Sequence, residues 1–261
     1  MSGYSVRGLN WFNALNAGAK AVEGLPPSLK VADGELGRFI AVVANPDNRF
    51  PRARNGEVGL LEGWGLAKAV DDAITADRDK AQKRPIIAIV DVPSQAYGRR
   101  EEALGIHQAL AGAADSYARA RLAGHPVIAL LVGKAMSGAF LAHGYQANRL
   151  IALRDPGVMV HAMGKASAAR VTLRSVEELE ALAASVPPMA YDIDSYASLG
   201  LLWETLSVQQ IEQPTAEDLA RVTECLKQAI DDISGTDLRK RLGAKNREAS
   251  GRVRELLRAQ W

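Results

Sequence analysis

The stretch PVIALLVGKAMSGAFLAHG, residues 126–144, decides the architecture. It begins with an unbroken apolar run, Val127 to Val132, in which apolar and polar positions do not alternate. A strand with one wet face alternates, whereas a strand covered on both faces does not. The run therefore predicts a buried strand of a parallel sheet. It ends in small residues, Gly133, Ser137, Gly138 and Ala139, and an apolar helix-like segment, 137–147, follows. In such sheets ligands bind beyond the carboxyl ends of the strands, and the first amides of a following helix have no partner inside it. Small side chains let a ligand oxygen reach those amides. An enolate or tetrahedral oxyanion can then be held by backbone N–H groups alone. A tight strand-to-helix turn packed under another helix explains the same residues without a ligand.

Outward from this stretch, similar apolar runs stand at RFIAVVAN (38–45), PIIAIVDV (85–92) and NRLIALRD (148–155), with a shorter one at GVMVHA (157–162). Helical patterns occupy 58–82 and 100–124 between them. Strand, helix, strand, helix, strand reads as successive right-handed crossovers of an α/β protein. Beyond residue 165 the chain reads as helical. Residues 175–186 start on a capping-box pair, Ser175 and Glu178, and Pro187-Pro188 break the pattern. Further helices are expected over SYASLGLLWETL (195–206), 214–233 and 238–261. The longest loop, NPDNRFPRARNG (45–56), is of a length that often carries function.

The chain has 261 residues, enough for one large α/β domain rather than two small ones. With Lys+Arg 32 against Asp+Glu 30 there is no basic stripe suited to nucleic acid. The basic run KRLGAKNREASGRVRELLR (240–258) reads as a solvated helix. The one cysteine, Cys225, excludes an internal disulfide framework and sits in an amphipathic pattern as a core thiol. No metal-ligand spacing, signal peptide or apolar run of about 18 residues occurs, so a cytoplasmic protein without a bound metal or a membrane span is expected.

The second strand ends in DVPSQAYGRREE (91–102), where Pro93 turns the chain and Gly98 loosens it. DVPSQ (91–95), AGHPVIALLVG (123–133) and GKAMSGAFLAHG (133–144), in this order, resemble the carboxyltransferase branch of the crotonase superfamily. NPDNRFPRARNGEVGLLEGW (45–64) and DVPSQAYGRREEALGIHQALA (91–111) narrow the likeness to the γ-subunit family of biotin-independent malonate decarboxylases. The resemblance covers roughly residues 25–170. It implies a crotonase-like repeated ββα superhelix, with 171–261 as a mainly helical extension of one domain spanning 1–261. It also implies an active site shared with a β-type partner subunit. There, malonate carried as a thioester on the phosphopantetheine-type arm of an acyl-carrier subunit loses CO₂ to leave an acetyl thioester. No biotin is involved and no cofactor is bound by this chain itself.

Loss of CO₂ from a malonyl thioester makes a thioester enolate, whose charge needs pre-positioned donors. The turn at Ser137, Gly138 and Ala139 can supply them. Where the family pattern has two glycines this chain has Gly138-Ala139, which keeps the N–H and narrows the pocket by a methyl. A second turn, at Pro93, Ser94 and Gln95 with Tyr97, or at Met163-Gly164, can hold the departing carboxylate or the thioester oxygen. Protonation of the enolate needs an acid, and His143 and His161 are the candidates. His107 and His125 read as structural. Ser137 is a hydrogen-bonding or capping residue, since AMSGA lacks the first glycine of a hydrolase elbow. The absence of acidic residues from 137–164 other than Asp155 disfavours a hydratase. Arg52, Arg54, Arg99, Arg100 and Lys134 are candidate docking charges for an acidic carrier protein. Trp203 and the LGLLWETL helix are candidates for the subunit interface. A carboxyltransferase half moving CO₂ to or from biotin, and a silent scaffold completing the partner's fold, are the alternatives.

Overall fold

A computed structural model of the chain describes residues 3–235, 238, 241 and 244–261. Its centre is the predicted run of buried strands: β4 (Ile86–Val92), β5 (Val127–Met136) and β6 (Arg149–Leu153). β3 (Gly37–Val42) pairs parallel with β4, β4 with β5, and β5 with β6. All seven residues of β4 are buried, as a strand covered on both faces requires.

Two further strands extend the sheet where no apolar run announced them. β1 (Lys20–Ala21) and β2 (Leu29–Gly34) add antiparallel on β3, and β2 turns into β3 through Gly37, whose φ is +140°. At the other edge β8 (Glu204–Leu206) pairs parallel with β6. The helix expected over 195–206 is therefore only α8 (Ile193–Ser198), which stops at Gly200 (φ +71°). Trp203 lies in the connection to β8, half-buried against the core, and not on a free apolar helix.

β5 runs three residues past the predicted end at Gly133. Its first half, Ile128–Leu131, pairs with β6, and its last three residues, Lys134–Met136, pair with β7 (Met159–His161). On the other side the β4 register slips, with Val90 opposite Leu131 but Val92 opposite Ala135. Asp91 sits in that irregularity. It accepts Ser5 Oγ (2.5 Å), Gly8 N (3.1 Å) and Lys134 N (3.2 Å). A side chain at Gly133 would overlap the Asp91 carboxylate, so glycine is required there.

The expected long helices are α2 (Leu60–Ala76) and α4 (Ile106–Leu122), packed against each other. The helix expected over 100–124 is split. α3 (Arg99–Ala103) ends at Leu104, and left-handed Gly105 (φ +80°) starts α4. The segment 137–147 forms only the short α5 (Ser137–Ala142). α1 (Arg7–Leu15), unpredicted, lies against β3, β4 and β5. Trp11 Nε1 donates to Ile211 O (2.8 Å), and Arg7 pairs with Asp155 and Glu212. α6 (Lys165–Val171), α7 (Val176–Ser185), α9 (Ala216–Asp231) and α10 (Glu248–Gln260) complete the helical second half. The Ser175–Glu178 capping box forms, and Cys225 is buried in α9 with its thiol pushed up to about 11 by burial. Residues 236, 237, 239, 240, 242 and 243, the last three of them in the basic run, lie outside the described residues. No described helix is long and apolar enough to cross a membrane.

Candidate active site

The carboxyl ends of β5 and β7 are neighbours because β7 pairs with the extension of β5. Met136 stands opposite His161. Ser137 and Gly138 from one strand end, and His161 and Ala162 from the other, thus line one cavity of about 440 Å³. Phe140, Leu141 and Tyr145 close it from α5 and its exit, and Pro188, Leu199 and Leu201 from the helical second half. Its walls are apolar, which strengthens any hydrogen bond made inside.

Ser137 is the first residue of α5, not its cap. Met136 holds the cap position, and Ser137 has φ +58°. A non-glycine residue in the left-handed region costs about 1–3 kcal/mol and is found where surrounding structure over-determines it. The Gly138 amide donates to Gln95 Oε1 at 2.9 Å, joining residues 43 positions apart. The strand ends of β4 and β5 therefore meet at this one N–H, which carries an acceptor oxygen in the structure. Ala139 is wholly buried in the core and does not line the cavity, so its methyl does not narrow the pocket as expected.

The two histidines part company. His143 is 0% exposed, with Nδ1 3.0 Å from Tyr117 Oη and Nε2 2.9 Å from Ile89 O. Burial pushes its pKa down to about 4. With both nitrogens committed inside the core, His143 is removed from the groups able to hand a proton to a ligand. His161 is half-buried at the cavity wall, and burial lowers its pKa while its Met163 contact opposes that. His125 is buried with Nδ1 on Arg84 O (2.8 Å), and His107 is exposed on α4, both away from the cavity.

The remaining candidates divide by position. Ser94 and Ala96 bridge to Val58, which fixes the 93–95 turn against the start of α2. Met163 is exposed and tied to His161, while Gly164 has open space around it. Arg100 and Arg49 stack on Phe50, with guanidinium carbons 5.1 and 4.8 Å from the ring centroid. Arg52 lies beside Gly98 and Glu101. Arg54 turns back to Asn48 O (3.0 Å), and Tyr97, Arg99 and Lys134 are exposed. Arg49 had no local signal beyond its place in the loop. It also rims a second apolar cavity of about 440 Å³, with Trp64, Leu61, Leu104 and Lys68. Glu62, also unforeseen, is 0% exposed. It accepts Ser28 Oγ (2.5 Å), Asn48 Nδ2 (2.7 Å) and Gly59 N (3.0 Å), pinning the 45–56 loop to α2.

The family model described as malonate decarboxylase gamma subunit matches residues 53–261. The chain belongs to the malonate decarboxylase gamma-subunit family. A Pseudomonas malonate decarboxylase hetero-tetramer, solved with coenzyme A, contains a chain similar to this gamma-family member at 73% identity. The two superpose with a TM-score of 0.93, over 98% of this chain and 99% of that one. A Pseudomonas malonate decarboxylase hetero-dimer gives 71% identity and a TM-score of 0.90, over 98% and 99% of the two chains. A malonyl-S-ACP:biotin-protein carboxyltransferase of Malonomonas rubra is 35% identical over 211 residues, 80% of this chain and 70% of that protein. Transcarboxylase 12S, at 20% identity and a TM-score of 0.62 over 87% of this chain and 42% of that one, shares the fold. The gamma-subunit family thus has the carboxyltransferase architecture that the order of motifs implied.

Proposed function

We propose that this chain works beside a β-type partner subunit to decarboxylate a malonyl thioester on the phosphopantetheine-type arm of an acyl-carrier subunit. The products are the acetyl thioester and CO₂. The observation that carries the reading is the Gly138 N–H beside a cavity shared with the His161 ring. Membership of the gamma-subunit family supports it, as do relatives named for malonate decarboxylation and for malonyl-S-ACP.

On cleavage, the electron pair of the C–CO₂⁻ bond moves into the thioester as an enolate. Gly138 N–H is the donor assigned to the developing charge, and removing one such donor costs about 2.7–4 kcal/mol in catalysis elsewhere. A ligand oxygen on that N–H takes the acceptor position that Gln95 Oε1 occupies. The second polar group of the substrate falls to one of the two neighbouring turns, 93–95 or Met163-Gly164. His161, through Nε2, protonates the enolate carbon. Arg49 and Arg100, stacked on Phe50, and Arg52, beside Gly98, are the docking charges for an acidic carrier, and no biotin takes part.

The test is CO₂ release from malonyl-carrier protein by the complex that co-purifies with this chain, checked free of biotin. Turnover is expected, and Gly138→Val should abolish it while the complex still assembles. A variant with full turnover would make this chain a scaffold for its partner's site. The Malonomonas rubra relative favours a second reading, carboxyl transfer to a biotin protein. Activity that appears only when a biotinylated protein is added would establish that one.

A further inference from the structure

His161 is fixed by residues on either side of α6 and α7. Its Nδ1 lies 3.0 Å from Met163 O and 3.2 Å from Met163 N. Tyr191, only 7% exposed, stacks on the imidazole with ring centroids 3.9 Å apart and planes 11° from parallel. The Tyr191 hydroxyl donates to the same Met163 carbonyl at 2.9 Å. One carbonyl oxygen, with two lone pairs, therefore ties the histidine and the tyrosine together. Lys165 sits 5.5 Å from the Tyr191 ring centroid, with its charge paired to Glu180 at 2.7 Å.

We infer that Tyr191 is a positioning residue for His161, holding the imidazole plane so that Nε2 faces the cavity beside Gly138. This rests on the proton-donor role of His161 given above. The Met163 turn serves the ring in the protonation states that the role requires. The imidazolium donates Nδ1–H to Met163 O; the Met163 N–H, which donates to Nδ1 only when that nitrogen is unprotonated, makes no bond to it in this state. When the Nε2–H bond breaks, its proton goes to the enolate carbon and its electron pair stays on Nε2. The ring that remains is the neutral Nδ1–H tautomer, so its bond to Met163 is unchanged and no second proton moves. The stack prevents rotation about the Cβ–Cγ bond that would carry Nε2 away, and the Tyr191 hydroxyl keeps the Met163 carbonyl aimed. A ring held this way loses little orientation entropy on reaching the transition state.

The experiment uses the intact complex and malonyl-carrier protein. Tyr191→Leu should lower kcat about tenfold or more with KM within about twofold. Tyr191→Phe, which keeps the stack, should restore kcat to within about threefold. In a His161→Asn background, Tyr191→Leu should add no further loss to the residual rate. An equal loss in both backgrounds, or a Tyr191→Leu enzyme within about twofold of the original, overturns the positioning role. Full turnover by His161→Asn alone overturns the proton-donor reading on which it rests, and that result is read separately. Should Tyr191→Leu fail to assemble, Tyr191→Met, which fills the space without a ring, goes through the same comparison.

Discussion

Acid should loosen this protein through His143. In the fold its ring is wholly buried between Tyr117 and Ile89 O, and burial pushes its pKa from 6.5 to about 4. At neutral pH the ring is neutral both folded and unfolded, so nothing is lost there. As pH falls below the unfolded value, the unfolded chain takes up a proton that the folded chain refuses. Stability then declines by up to about 1.4 kcal/mol per pH unit, and the decline ends once pH has passed below the folded value. Over the whole window the loss through this one residue is about 3 kcal/mol, a large fraction of the 5–15 kcal/mol typical of a domain. Urea unfolding followed by circular dichroism, from about pH 7 to about pH 4, measures it for the original chain and for His143→Gln. The variant removes the titrating group, so its stability should depend on pH less steeply by nearly one proton. His125, whose pKa burial also lowers, is common to both and cancels. Parallel curves for the two proteins across that range would refute the reasoning.

Four further outcomes follow from packing and charge. A Cβ at Gly63 would stand 2.7 Å from Ala109 O on the facing helix, so Gly63→Ala should cost about 1–3 kcal/mol in thermal unfolding. Gly164→Ala, with open space, should stay within about 0.5 kcal/mol. Glu62→Ala strips acceptors from Ser28, Asn48 and Gly59 and should cost roughly 3 kcal/mol in denaturant unfolding, with Glu62→Gln recovering part. Reversing Arg52 and Arg100 to Glu should slow association with the acyl-carrier subunit about tenfold at low salt. The difference should shrink as salt rises, in stopped-flow binding.

The buried parallel strands were legible because their runs are apolar throughout, and β4, β5 and β6 stand where those runs stand. What stayed hidden depends on neighbours rather than on local pattern. Glu204–Leu206 forms a strand because β6 offers an open edge, and three residues carry no periodicity to announce it. β5 outruns its apolar stretch because β7 and the slipped β4 register give Lys134–Met136 partners. The split between α3 and α4 was visible only as a lone glycine inside a helical pattern. At the site, Gly138 and His161 were readable as strand-end residues, and the strand order brings them to one cavity. The Gln95–Gly138 bond was not readable, although each residue had been singled out, because nothing local links positions 43 apart. His143 looked equivalent to His161 by its place after a strand, and only its burial among Tyr117 and Ile89 separates them. Tyr191 and Glu62 lacked any motif, since their partners lie far along the chain.

The contact between α1 and the segment that follows β8 bears on how the protein is made. Trp11 finds its hydrogen-bond acceptor 200 positions later, and Asn10 and Arg7 find theirs at Glu212. A ribosome adding about 5–20 residues per second delivers those partners some 10–40 seconds after α1 emerges. In the later part of that interval β3, β4 and β5, against which α1 lies, are already made, while the Trp11 Nε1–H and the Asn10 amide still lack these acceptors. α1 is thus seated on its strands early and locked to the segment around Ile211 and Glu212 late, so whatever delays that later segment delays the closing of the contact.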